Sequence, residues 1–309
     1  MRPLIFFLLR RFLWMVLTLW VVFTISFPLM RMVQGDPFVG EKAMSAEVKQ
    51  AKKEKYGYDL PLWQQYFHRL KMMVLQQDLG LAYKLGDTSV NQLIAEGFPV
   101  SASLGVLALA FAMVLGVSAG IVSAIDRYSA WDVLAMGMAT LGIAVPNFVL
   151  ASLAILLFVF IIPIAPAGGW GSIQQLALPA LCLGAPFAAY IARLTRTGML
   201  EVLGQDYIRT AHAKGLSQGR VVLRHALRGA ILPVVSYLGP AVAGVLTGSL
   251  VLEKIFFIPG MGSHFIEAAT QRDYEVALGM VLVYTFLLFV ANTMVDLAYV
   301  IIDPRVKLE

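Results

Sequence analysis

Six predominantly apolar stretches divide the chain, at about 12–30, 100–125, 133–162, 176–192, 230–252 and 278–301. Each approaches the roughly 20 residues that a helix needs to cross a bilayer, so the pattern predicts an all-α polytopic membrane protein with six transmembrane helices. The third stretch contains Pro146-Asn147. Membranes tolerate a helix kinked there, and two half-spans give the same hydropathy. The first stretch exceeds the about 7–15 apolar residues of a secretory signal and no small-x-small cleavage site follows it, so an uncleaved first span is expected.

Polar positions order these spans. A cytoplasmic N-terminus places Arg2, Arg10, Arg11, Arg127, Arg193, Arg196, Arg209, Lys214, Arg220, Arg224, Arg228, Arg305 and Lys307 inside. Only Lys254 and Arg272 then fall in short outer loops, which is the asymmetry of the positive-inside rule. Both termini are therefore expected in the cytoplasm. Three regions follow: 1–31, a tail and first transmembrane helix; 32–99, an extracytoplasmic helical insertion; and 100–309, a five-helix core with a cytoplasmic loop at 196–230.

Within the insertion, Pro61 opens a stretch where Trp63, Phe67, Leu70 and Val74 recur at helical spacing, with Gln64, His68 and Lys71 off that face. Such a helix lies on the lipid interface or meets a partner. Ser89-Val-Asn-Gln92 reads as a capping box that opens a short helix, and Gly97-Phe-Pro99 reads as its end. In the spans, Gly116 with Gly120, and Gly239, Gly244 and Gly248, permit close helix approach, within the chain or to another subunit.

The longest polar, basic segment of the second half is 201–233. It predicts two short helices hinged at Gly215. Asp206 is the expected N-cap, Tyr207, Ile208 and Ala211 share a face, and Gly215 takes the left-handed position after the helix. Ser217 then caps a second helix, with Arg220, Arg224 and Arg228 on one face and Leu223, Leu227 and Ile231 on another.

Composition agrees with the pattern, since 59% of residues are apolar and 14% charged, too greasy for a soluble domain. The net charge of +5 reflects cytoplasmic loops and gives no reason to expect nucleic acid. The lone Cys182 excludes an intrachain disulfide. No Gly-x-x-x-x-Gly-Lys-Ser/Thr motif is present, so the chain has no phosphate cradle for ATP and is not expected to be an enzyme. His68, His212, His225 and His264 do not have metal-ligand spacing. Asp296, one turn after Asn292, is the main ionisable residue of the last span, and helix packing is a simpler role for it than proton coupling.

These motifs resemble a known family. Ile208-Arg-Thr-Ala-His-Ala-Lys-Gly-Leu216, followed by Arg224-His-Ala-Leu227 and Leu232-Pro233, is similar to the coupling loop of binding-protein-dependent ABC importers, specifically the peptide subfamily. The general importer pattern of Glu-Ala-Ala, three residues, then Gly aligns with Arg209, Thr210, Ala211 and Gly215. The Glu and first Ala are absent and the spacing from Gly215 to Pro233 is longer, as in the peptide subfamily. Gly35-Asp36-Pro37, Asp78-Leu-Gly80, Phe98-Pro99, the stretch from Glu253 to Gly262, Arg272-Asp273-Tyr274 and Asp303-Pro304-Arg305 extend the resemblance over the chain; Ala82 stands where many members have Ser.

The resemblance implies a type I ABC importer permease fold in a bacterial inner membrane, and one half of an oligopeptide pathway. It also implies a second homologous permease, two ATP-binding subunits that carry ATP and Mg, and an extracytoplasmic peptide-binding protein. It assigns the ATPase contact to Tyr207, Arg209, Thr210, Ala211, Lys214, Gly215 and Leu216, and leaves this chain with no cofactor. Dipeptide, glutathione, opine or nickel-chelate cargo fits the same architecture. An ATP-independent carrier and a membrane scaffold are the rivals outside it.

Overall fold

A computed structural model describes residues 2–32, 47, 50–51, 54, 56–84 and 88–302. The motifs at 35–37 and 303–305 lie outside the described residues. Those within 1–99 and 260–289 form one compact unit, and those within 100–259 and 290–307 another.

In the first unit, α1 (Arg2–Met32) is apolar around most of its circumference, the composition of a lipid-facing span. Its Phe23 and Phe27 are buried with Leu278 and Leu282 under Tyr66, Leu70 and Met73 of α2 (Leu62–Leu75). The Thr24 hydroxyl lies 2.8 Å from the Tyr66 hydroxyl. Pro61 precedes α2 as the sequence predicts, with ψ 145. Of the expected apolar face, Trp63, Phe67 and Val74 are exposed, as a face for lipid or a partner requires, while Leu70 packs on α1. Gln65 and Arg69 are buried. Gln65 donates to the Leu60 carbonyl at 2.7 Å, and Arg69 meets a carboxylate far away in sequence. Glu275 accepts from Arg31 at 3.1 Å and pairs with Arg69, and the Tyr83 hydroxyl donates to it at 2.7 Å.

The expected capping box at Ser89 does not close. Ser89 Oγ accepts from the Asn91 N–H at 3.2 Å, and Gln92 donates instead to Glu96. Nor does Pro99 end a helix. A single helix, α3 (Val90–Ile125), runs through it, since a proline removes one hydrogen bond where a membrane helix can absorb the loss.

In the second unit, α4 (Ala130–Ala144) is capped by Ser129, whose side chain accepts from the Asp132 N–H. After Val145-Pro146, α5 (Asn147–Ile155) sets off at 112° and continues as a π-helix over Leu156–Ile161. The third apolar stretch is thus a broken span. A capping box of Ser172 and Gln175 starts α6 (Ile173–Leu203), which carries on well beyond 192 and past Arg193 and Arg196. Two short helices follow, α7 (Asp206–Ala213) and α8 (Gln218–Ala230), then α9 (Leu232–Ile255) after a 56° bend. The chain closes with α10 (Met261–Gln271) in the first unit and α11 (Tyr274–Ile302), whose residues divide between the two. Among the described residues, four helices are long and apolar enough to cross a membrane, and the two bent pairs, each taken as one span, bring the spans to six.

Gly116 and Gly120 serve contacts within the chain. A Cβ on Gly116 would stand 2.7 Å from the Ala188 carbonyl oxygen, and one on Gly120 would stand 2.6 Å from that of Ala192. Both sit where α3 meets the α6 backbone. Cys182 is buried in the apolar core with Leu104, Leu183 and Leu252.

Candidate functional site

The polar segment of the second half folds as an anchored helix with an exposed rim. Gln205, in extended conformation, is the N-cap of α7 and Asp206 is the first helical residue, so the helix starts one position earlier than expected. Its carboxylate instead meets Arg209 at 3.3 Å, an exposed pair of small energetic weight. Ile208 and Ala211, three residues apart, are 1% and 5% exposed. They join Met199, Val221, Val222 and Ala226 in one apolar cluster, with Leu216 packed at its edge. Burying two side chains of an eight-residue helix fixes its position, because a helix this short is marginal alone.

The end of α7 is fully bonded. Gly215 has φ +76, its N–H donates to the His212 carbonyl at 2.9 Å, and the Leu216 N–H donates to the Ala211 carbonyl at 3.3 Å. Together with the Ala211 and Leu216 side chains in one cluster, this is a Schellman motif. The left-handed glycine predicted from sequence is present. A Cβ at Gly215 would meet no atom within 4 Å, so the requirement for glycine here is one of backbone conformation.

The seven expected contact residues therefore divide. Tyr207, Arg209, Thr210, Lys214 and Gly215 are exposed, with His212 between them. Ala211 is buried in the chain's own core and Leu216 packs at its edge, half-buried, and together they hold the others up. Thr210 donates back to the Asp206 carbonyl at 3.0 Å, an internal bond of the helix.

Beyond Ser217, which is an N-cap by conformation but makes no side-chain cap bond, α8 departs from the expected faces. Residues 221–226 are π-helical, and the wider turn shifts the register. Val221, Val222, Ala226 and Ala230 go inward, and Leu223 is left 65% exposed. Arg220, Arg224 and Arg228 are all exposed, and a basic surface lies beside α7 in sequence.

Sequence reasoning missed the clamp above this loop. Arg196 of α6 binds Asp132 of α4 through two nitrogens, and Ser123 of α3 donates to the same carboxylate. The one available signal was Ser129-Ala-Trp-Asp132, a helix-start pattern that places an acid in the first turn. An apolar cavity of about 720 Å³ opens between α3, α4, α5 and α6, bounded by Phe111, Leu115, Trp131, Met138 and Phe158. None of its lining residues is charged.

The model of the binding-protein-dependent transport system inner membrane component matches residues 116–308, and the N-terminal model of the same transport-system membrane components matches 4–105. The chain belongs to this family. Among inner membrane components, it is 43% identical over 303 residues to the oligopeptide transport system permease protein OppB of Escherichia coli K12, covering 97% of this chain and 99% of that one. OppB of Haemophilus influenzae is 44% identical over 303 residues, covering the same shares. The dipeptide transport system permease protein DppB of Bacillus subtilis is 43% identical over 302 residues, covering 98% of each chain. Among solved structures, a chain of an amino acid ABC transporter superposes with a TM-score of 0.53 at 16% identity, covering 67% of this chain and 93% of that one. An inward-facing MetNI methionine ABC transporter gives 0.51 at 16% identity, covering 67% and 96%. These likenesses concern the fold, which is that of a type I ABC importer permease. This inner membrane component is a multi-pass membrane protein.

Proposed function

We propose that the chain is the transmembrane permease subunit of an ATP-driven ABC importer for oligopeptides. It forms half of the translocation pathway, beside a second homologous permease. Two ATP-binding subunits, which bind the ATP and Mg, drive it from the cytoplasm, and an extracytoplasmic peptide-binding protein delivers cargo. The termini are cytoplasmic, which puts α7 on the ATPase side. Tyr207, Arg209, Thr210, Lys214 and Gly215 form the contact surface, while Ala211 and Leu216 transmit its motion into the core.

The observation that carries this reading is the build of α7 in a chain similar over its full length to peptide permeases. It is a short helix with a bonded end, two buried anchors and a polar outer rim, and its cluster includes Met199 of α6 and Ala124 of α3. A push on the rim therefore reaches two spans through packed side chains rather than through a loose loop.

The test is crosslinking from His212→Cys in a Cys182→Ser background, in membranes that contain the cognate ATPases, with and without ATP and vanadate. A crosslink to an ATPase whose yield changes with nucleotide is expected. Its absence from His212 and from neighbouring exposed positions, with active ATPases present, would overturn the importer reading in favour of an ATP-independent carrier. Dipeptide cargo is a second reading, favoured by the equal identity to the B. subtilis dipeptide permease. Uptake of labelled dipeptides against tetrapeptides separates the two.

A further inference from the structure

The helix α2 carries an apolar strip that no part of its own unit covers. Trp63, Phe67 and Val74 are 63%, 62% and 66% exposed. At roughly 100° per residue, they follow directly around the helix from Tyr66, Leu70 and Met73, the strip that packs on α1. On the far side, Arg69 is held by Glu275 and by the Leu79 carbonyl. Lys71 and His68, also exposed, occupy the remaining arc, joined by Leu75 at the helix's last residue. The helix thus has four sides in order: one bonded to buried charge, one packed on a span, one apolar and open, one polar and open.

The level of the open strip identifies what covers it. The stretch of α1 from Arg11 to Arg31 rises roughly 30 Å, the thickness of the hydrocarbon layer. Arg31 lies with Arg69 in the Glu275 cluster, at one polar boundary of that layer. Tyr66 of α2 reaches Thr24, which lies seven residues into the span from Arg31, or roughly 10 Å along its axis. At this level α1 exposes Trp20, Ile25 and Leu29. The open strip of α2 therefore stands at the level where α1 is lipid-facing, with polar Lys71 and His68 directed away from it.

We propose that α2 lies in the membrane interface with Trp63, Phe67 and Val74 in contact with phospholipid acyl chains, and that the Arg69–Glu275 pair fixes its depth. Aromatic side chains suit that level, where one edge is apolar and the other wet. The leaflet is the outer one on the orientation proposed above. The insertion itself does not depend on that orientation.

The experiment places a nitroxide label at Phe67→Cys, Val74→Cys or Lys71→Cys in the Cys182→Ser background. The full-length chain is purified from membranes with its accompanying subunits and set in nanodiscs of phosphatidylethanolamine and phosphatidylglycerol. Collisions with oxygen report lipid, and collisions with a water-soluble nickel chelate report solvent. The expected result is a several-fold higher oxygen-to-nickel ratio at 67 and 74 than at 71. Nickel access at 67 and 74 equal to that at 71 would overturn the proposal, because the strip would be in water. Low access to both quenchers would also overturn it, because a protein partner would be covering the strip. Neither nucleotide nor transport enters the measurement, so failure of the importer reading leaves its outcome intact.

Discussion

Arg196 grips both oxygens of the Asp132 carboxylate, with Nη2 2.8 Å from Oδ2 and Nε 2.9 Å from Oδ1. The Tyr128 N–H donates to Oδ2 at 3.0 Å, and Ser123 donates to Oδ1. The pair joins the start of α4 to α6 one turn before Met199, a core residue of the α7 cluster. It therefore braces the frame on which α7 rests.

Removing one partner of a largely buried pair strands the other. Asp132→Ala and Arg196→Met should each lower stability, while the double substitution costs less than the sum of the two. Thermal denaturation of the purified chain in detergent measures the cycle. Additive losses would mean that the two residues act separately.

Gly215 permits a cleaner separation of cause. Since a Cβ there meets nothing, Gly215→Val acts only through the left-handed backbone, at a cost of about 1–2 kcal/mol. Gly215→Asn, which tolerates that conformation, should retain peptide uptake in vesicles where Gly215→Val loses most of it. Equal uptake by both would show that the α7 turn does not govern coupling.

The approach of α3 to α6 makes the opposite demand. A Cβ on Gly120 would stand 2.5 Å from Thr195 Cβ and 2.6 Å from the Ala192 carbonyl oxygen. Even Gly120→Ala must push the helices apart, at about 1–3 kcal/mol, whereas Gly137→Ala meets no atom and should be neutral or slightly stabilising. Melting temperatures of the two variants test the contrast.

The residues explain why part of this architecture was legible and part was not. Hydropathy reports spans because lipid imposes a length and a composition on each, and a glycine after a polar helix reports a left-handed turn because other residues avoid it. The π-turn at 221–226 leaves no such signature, since it changes register without changing residue types, and Leu223, which periodicity places on the apolar face with Leu227 and Ile231, stands exposed. Nor does periodicity contain the partner of Arg69. The helix α2 turns Arg69 inward because Glu275, some two hundred residues later, pairs with it there. Of the candidate site, the turn and the exposed rim were readable. The division into anchors and rim required the cluster formed by α3, α6 and α8.

Tyr83 gives the buried charge cluster a pH signature. Its hydroxyl donates to Glu275 at 2.7 Å and lies 3.0 Å from the Tyr58 hydroxyl, and it lies outside the spans. Burial, and then the Glu275 carboxylate, push it well above the ordinary phenol value, against the lowering pull of Arg31 and Arg69. The folded chain keeps this proton at a pH where the unfolded chain releases it. The corresponding stability is complete below pH about 10 and is lost as pH rises from there through the raised value. Tyr83→Phe removes a hydrogen bond to a charged group and should cost about 1.5–3 kcal/mol at neutral pH. It should also remove this residue's share of the alkaline loss, so the gap between wild type and variant narrows above pH about 10. Melting temperatures of both proteins measured from neutral to strongly alkaline pH decide the point: a constant gap would mean that Tyr83 ionises as freely in the folded chain as in the unfolded one.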